Sequence, residues 1–302
     1  MTAFADRLTE SVRKKGNPLC VGLDPRWELL PRILREKFGS ETLEGVAAGF
    51  EAFSLRILDL VAQRVPVVKP QSAFYEACGP AGMSVLQRVI RRAKELGLIV
   101  ILDSKRGDIA STAAAYADAA FAGPLIDGKR LPVWDADAVT VNPYLGRDAV
   151  EPFLTSAHDA RRGVFVLVRT SNPGGLFQNL ETGGRTVYRH VAAAVAEWNR
   201  PSVGPSGLGD VGAVVGATHP AELAELRAAL PDSWLLIPGY GAQGGTARDV
   251  AGAFRSDGLG AVVNSSRGIA FPFHPGEPNW ERAVSAATER AIQELNSARP
   301  AG

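Results

Sequence analysis

A chain of 302 residues with 46% hydrophobic and 22% charged residues can bury a substantial core, while its formal net charge of +1 supplies neither the basic field that nucleic acid requires nor an acidic tail. The polar opening segment lacks the apolar core of a secretory signal, and runs such as 98–102 fall far short of the about 20 apolar residues that cross a bilayer. The expectation is a cytoplasmic protein with no nucleic-acid or membrane partner.

In chain order, Phe4, Leu8 and Val12 recur at helical spacing and predict an opening helix. Eight apolar, β-branched runs follow, at 19–23, 65–68, 98–102, 138–141, 164–168, 212–215, 234–237 and 261–263, most of them separated by a helical pattern. Strands alternating with helices imply right-handed βαβ units, and eight of them predict an α/β fold, a closed (β/α)8 TIM barrel, as a single domain over residues 1–302. Such a barrel takes about 250 residues. The remainder is expected in extended loops at 121–135, 171–185 and 199–210. Two doubly wound domains joined at 201–209 are the alternative, but the second would hold only three strands.

Cys20 and Cys78 lack metal-ligand or CxxC spacing and read as buried reduced thiols. His158, His190, His219 and His274 are scattered, so no metal site built on them is expected.

In a barrel, chemistry gathers where strands end. The first run ends in Asp24, the second in Lys69-Pro70-Gln71, the fourth in Asn142, and the fifth in Arg169-Thr170-Ser171-Asn172. The third is the most informative. After 98–102 comes Asp103-Ser104-Lys105-Arg106-Gly107-Asp108, and a period of two places Asp103 and Lys105 on one side of the strand. Asp108 is expected at a helix start, with Thr112 four residues on along the same helix face, so that four polar groups converge. Lys69, ending a buried strand, reads as a further member of a chain of alternating charges, because buried charges require partners.

Gly239-Tyr240-Gly241-Ala242-Gln243-Gly244-Gly245 follows the seventh run with glycine-freed amides that form an anion nest. It matches GxGxxG, but the next strand ends in Asn264-Ser265 rather than an acid, which argues against a dinucleotide. Arg267 after the eighth run offers a planar guanidinium at the usual phosphate site of this architecture.

Taken in order, Asp24, Lys69, Asp103-x-Lys105-x-x-Asp108 with Thr112, Gly241-Ala-Gln243-Gly-Gly and Arg267 resemble orotidine 5'-phosphate decarboxylases, specifically their longer bacterial subgroup. The resemblance implies cofactor-free decarboxylation of orotidine 5'-phosphate to uridine 5'-phosphate, the last step of UMP biosynthesis. It implies that Lys105, Asp103, Lys69 and Asp108 form the catalytic set, with Lys105 stabilising the C6 carbanion and donating the proton. Asp24 and Lys69 would bind the ribose, Ser171 or Thr170 the pyrimidine edge, and Gln243 and Arg267 the phosphate. Pro238 and Gly241 complete the substrate-contacting candidates. The resemblance further implies a homodimer in which Asp108 and Thr112 reach the partner's site. Two rivals remain. A Mg²⁺-dependent barrel decarboxylase of the 3-keto-L-gulonate 6-phosphate type shares DxKxxD but carries a glutamate metal ligand where this chain has Lys69, whose charge repels Mg²⁺. A non-catalytic phosphate or nucleotide binder would require neither Lys105 nor Asp103.

Overall fold

The computed structural model describes every residue except Met1, Pro173, Ala242, Gln243, Ala301 and Gly302. Eight strands, β1 (Leu19–Leu23), β2 (Val67–Pro70), β3 (Ile99–Arg106), β4 (Ala138–Val141), β5 (Gly163–Arg169), β6 (Gly209–Val215), β7 (Ser233–Ile237) and β8 (Ala261–Ser265), close into one barrel. Every neighbouring pair is parallel, and β8 returns to β1 with Leu19 opposite Val263. The expected (β/α)8 architecture is the observed one.

Near-continuous apolar runs become strands here because both faces of a parallel barrel are covered. Alternate residues divide between two cores. Leu19, Val21, Val68, Val100, Leu102, Val139, Val141, Val164 and Val166 pack in the larger cluster with the surrounding helices. Cys20, Val67, Ile99, Ile101, Ala138, Phe165, Val214, Trp234, Leu236 and Val262 form the second cluster, which fills the barrel. Gly212 belongs to this interior set because a Cβ there would come within 2.6 Å of the interior Phe165 ring.

The opening helix, Phe4–Lys15, closes the N-terminal end of the barrel by adding Phe4, Ala5, Leu8 and Val12 to that interior cluster. Asp6 lies in its first turn and Arg13, Lys14 and Lys15 in its last, matching the helix dipole, and Gly16 ends it in the left-handed region at φ 69°. Phe4 meets Phe165 edge to face at 6.0 Å. Gly163 makes room for that ring, since a Cβ there would come within 2.3 Å of it. Polar clamps hold the plug. Asp137 accepts from Arg7 at 2.9 Å, from Arg162 at 2.7 Å and from the Val100 amide at 3.1 Å, while Asp210 accepts from the Ala5 amide at 2.7 Å.

The structure departs from expectation in local detail. β2 begins at Val67 because Pro66 has no amide to donate. β3 runs on to Arg106, past a register shift between Leu102 and Arg106. The expected loops carry structure of their own. Leu125–Ile126 pairs with Lys129–Arg130, and a helical turn, Leu176–Asn179, precedes a second short hairpin of Glu181–Thr182 with Arg185–Thr186. The segment 199–210 holds the turn Arg200–Ser202 and the first residues of β6.

Phe4 is fully buried, so Phe4→Ala is expected to destabilise the protein by about 3–5 kcal/mol. A lowered urea midpoint with the same slope checks this.

Candidate active site

Continuing the interior alternation of each strand toward its C-terminal end leads from apolar to polar residues. Cys20 leads to Asp24, Val67 to Lys69 and Gln71, Ile101 to Asp103 and Lys105, Ala138 to Thr140, and Val262 to Asn264 and Ser266. These residues line one cavity of about 400 Å³, together with Arg26, Thr170, Ser171, Pro238, Tyr240 and Arg267.

Asp103 is its centre. One carboxylate oxygen, Oδ2, accepts from Lys69 Nζ at 2.5 Å and from Gln71 Nε2 at 3.1 Å; the other, Oδ1, accepts from Lys105 Nζ at 2.6 Å and from Thr140 Oγ1 at 2.9 Å. The side chains of Lys69 and Asp103 are 5% and 6% exposed, whereas that of Lys105 is 42% exposed and faces the open cavity. The relay therefore has a buried end and an accessible end. Asp24 sits close enough to Lys69 to favour its charge, and its Oδ1 is buried with no hydrogen-bond partner among the described residues.

Lys105 holds φ at 47°, a left-handed backbone that an L-residue adopts at a cost of about 1–3 kcal/mol. This is where β3 slips its register. The Ser104 and Lys105 amides turn instead to the Thr140 hydroxyl, at 3.1 and 2.9 Å.

Burial opposes the charge on Asp103, yet Lys69 and Lys105 overcome it and hold the carboxyl well below the ordinary carboxylate range. Burial likewise opposes the Lys69 charge, and Asp103 and Asp24 outweigh it, raising that ammonium above its usual value. Burial pushes the Cys20 thiol up to about 12, which leaves it an inert member of the barrel interior.

At the fifth strand, the Thr170 hydroxyl is engaged by Gln178, which donates to it at 2.6 Å, and by Asn172, to which it donates. Gln178 Oε1 also accepts from the Thr170 amide at 2.9 Å. Arg169, almost fully buried, pairs with Glu222 at 2.6 Å. Gly216 permits this packing, since a Cβ there would lie 2.8 Å from the Ser171 backbone. Beyond β7, the Tyr240 hydroxyl donates to Glu294 at 2.5 Å, tying the glycine-rich turn to the helix Trp280–Ala298.

The cavity thus gathers Asp24, Lys69, Asp103, Lys105, Thr170, Ser171, Pro238 and Arg267. Two expectations require correction. Asp108 does not start a helix: the helix runs Ala110–Ala120, and Asp108 turns back to accept from the Ile109 amide at 2.8 Å. Asp108 and Thr112 are not among the residues lining this chain's cavity, so the four polar groups of the third strand do not converge within one chain. Gly241 lines a recess against Trp280–Ala298 that shares Tyr240 with the cavity. Gln243 lies outside the described residues. Sequence reasoning missed Thr140 and Asn264 as site residues, although the two-residue alternation from Ala138 and Val262 points to both.

Fold and site define a parallel (β/α)8 barrel with a buried lysine–aspartate–lysine relay at its C-terminal mouth and an arginine at the eighth strand end. Over residues 17–276 the chain matches the family model described as Orotidine 5'-phosphate decarboxylase / HUMPS family, and it belongs to that family. A protein of Rhodopirellula baltica named orotidine 5'-phosphate decarboxylase is 50% identical over 303 residues, covering 98% of this chain and 99% of its own length. One of the same name from Caldicellulosiruptor saccharolyticus is 37% identical, covering 99% of each chain. The solved structure of Leishmania donovani OMP decarboxylase superimposes with a TM-score of 0.75 at 34% identity, covering 98% of this chain and 99% of that one.

The pKa directions set a pH window. The depressed Asp103 contributes stability that is present above the ordinary carboxylate value of about 4 and is lost as pH falls through its folded value. The raised Lys69 contributes below the ordinary lysine value of about 10.4, and that contribution is lost as pH rises through its folded value. Asp103→Asn, which strands a buried ammonium, is expected to lose about 3–5 kcal/mol, a deficit that stays flat from about pH 5 to 9 and shrinks in acid. Urea unfolding across that range checks both size and shape.

Proposed function

We propose that this protein decarboxylates orotidine 5'-phosphate to uridine 5'-phosphate without a cofactor, as one barrel domain. The observation that carries this reading is the relay itself, with Lys105 half exposed to the cavity and held at 2.6 Å by a carboxylate that Lys69 also binds.

Breaking the C6–carboxylate bond releases CO₂ and leaves an electron pair on C6 with no conjugated sink, so the charge must be met in place. In this reading the Lys105 ammonium stands beside C6, stabilises the developing carbanion and then transfers a proton to it, ending neutral until solvent reprotonates it. Asp103 keeps Lys105 charged and aimed. Lys69 neutralises Asp103 from the buried side and, with Asp24, binds the ribose hydroxyls. The unpaired Asp24 Oδ1 suits a hydroxyl donor.

Arg267 grips the phosphate with Gln243, and Pro238 lines the base. Ser171 or Thr170 meets the pyrimidine edge, the Thr170 hydroxyl being held by Gln178 and Asn172. Binding energy from the distant phosphate orders the site and so contributes to the chemical step. The Mg²⁺-dependent alternative fits less well, because the Lys69 ammonium occupies the position at which that type carries an acidic ligand.

The reading includes a homodimer that carries Asp108 and Thr112 to the partner's site. Its support is exposed apolar side chains: Ile109, next to Asp108 in sequence, is 59% exposed, and Tyr144 and Leu145, in the loop after β4, are also exposed. Cytoplasmic placement accords with two unpaired cysteines and with the fact that, among the described residues, no helix is long and apolar enough to cross a membrane.

The test follows the ultraviolet absorbance of orotidine 5'-phosphate in excess chelator. Conversion to uridine 5'-phosphate that persists under chelation is expected, and Lys105→Ala should abolish it while holding product-nucleotide affinity within roughly tenfold. Equal losses of turnover and nucleotide binding would overturn the role of Lys105, and chelator-sensitive turnover would return the metal-dependent reading.

A further inference from the structure

We propose that Thr140 is a positioning residue for the decarboxylation, holding both the Asp103 carboxylate and the left-handed Lys105 backbone in the working geometry. This rests on the functional reading above and assigns a role to a side chain that need not touch substrate.

A hydroxyl has one proton to give and two lone pairs to fill. Thr140 uses all three. It donates to Asp103 Oδ1 at 2.9 Å and accepts from the Ser104 amide at 3.1 Å and the Lys105 amide at 2.9 Å. The oxygen it donates to is the one that also receives Lys105 Nζ at 2.6 Å. A single atom on β4 therefore fixes the acceptor of the lysine and the backbone that carries the lysine.

The backbone needs this support. Between Leu102 and Arg106 the pairing of β3 with β4 shifts register, and within that gap Lys105 sits at φ 47°. Thr140 stands in for strand carbonyls at that point and is itself 1% exposed, so no solvent competes for its hydroxyl. The β-branched side chain has a restricted χ1, which keeps the oxygen aimed. Without the hydroxyl, two amides lose their acceptor and Asp103 Oδ1 keeps only the lysine. The expected result is a shift of Lys105 Nζ relative to the reacting carbon, and a displacement of about 1 Å can cost roughly 10²-fold in rate.

Thr140→Val keeps the shape and removes the hydroxyl, while Thr140→Ser keeps the hydroxyl and removes a methyl group. The proposal expects kcat to fall by roughly 10²-fold in Thr140→Val with uridine 5'-phosphate affinity held within about threefold, and Thr140→Ser to recover kcat to within about fivefold. Melting temperatures and near-ultraviolet circular dichroism establish that each variant is folded. Should Thr140→Val not fold, Thr140→Cys, with its weak sulfur donor and acceptor, takes its place.

A valine variant within threefold of the native kcat overturns the proposal. So does a serine variant as slow as the valine one, or a nucleotide affinity that falls in parallel with kcat. A native protein that leaves orotidine 5'-phosphate unchanged defeats the functional reading, and crystal structures of native and Thr140→Val proteins then decide the positioning. Lys105 leaving the left-handed region, or its Nζ leaving Asp103, supports it; an unchanged Lys105 overturns it.

Discussion

The buried carboxylate of Asp103 is the constraint around which the mouth of the barrel is arranged. An anion this deep is tolerated only with close cations and full hydrogen bonding. Lys69, Gln71, Lys105 and Thr140 supply both, dividing the two oxygens evenly between them. Lys69, Lys105 and Thr140 come from β2, β3 and β4, and Gln71 follows β2 directly, so the parallel register of these strands is what brings them to one point. The consequence is electrostatic asymmetry. Lys69 is enclosed with its counter-charge, whereas Lys105, sharing the same carboxylate, presents its charge to an open cavity where an anionic ligand can meet it.

The two ends of the barrel divide the work. At the N-terminal end, Phe4, Leu8 and Val12 stop the interior with apolar packing, and Arg7, Arg162 and Asp137 lock the stopper with ion pairs. Left-handed backbone occurs there too, at Asp135 (φ 49°) before β4 and Arg161 (φ 55°) before β5. At the C-terminal end the same interior positions turn polar, the β3 register slips, and Lys105 adopts a costly backbone conformation. A closed barrel permits this combination because its many parallel pairings and filled interior hold the strand ends still, so that local strain is offset by packing elsewhere.

Of the additional loop structures, the segment after β5 lies at the working end, whereas the Leu125–Ile126/Lys129–Arg130 hairpin and the turn Arg200–Ser202 each follow a helix and precede a strand, at the opposite end. The turn at Leu176–Asn179 sends Gln178 back to β5, where it holds both the amide and the hydroxyl of Thr170. The same segment leaves Leu176 and Phe177 exposed. Tyr240 and Glu294 join the glycine-rich turn to the C-terminal helix, giving the seventh strand end a fixed foot. These long-range ties are supplied by side chains that no local motif marks.

Much of this molecule was legible in its amino-acid order. Eight apolar runs, the Phe4/Leu8/Val12 helix and the polar types at strand ends are local patterns, and local patterns determine which elements form and which residues stand at their ends. The pairing of Asp103 with Lys105 is also local, since a period of two places them together. What only the tertiary structure decided is everything that depends on register between strands: that Lys69 reaches the opposite oxygen of Asp103, that Thr140 replaces ladder acceptors where β3 slips, and that Asp108 and Thr112 leave the cavity their own strand helps to build. Periodicity along one strand specifies a face, but it carries no information about the height of that strand against its neighbours. That height is set by closure of the barrel, a property of all eight strands at once.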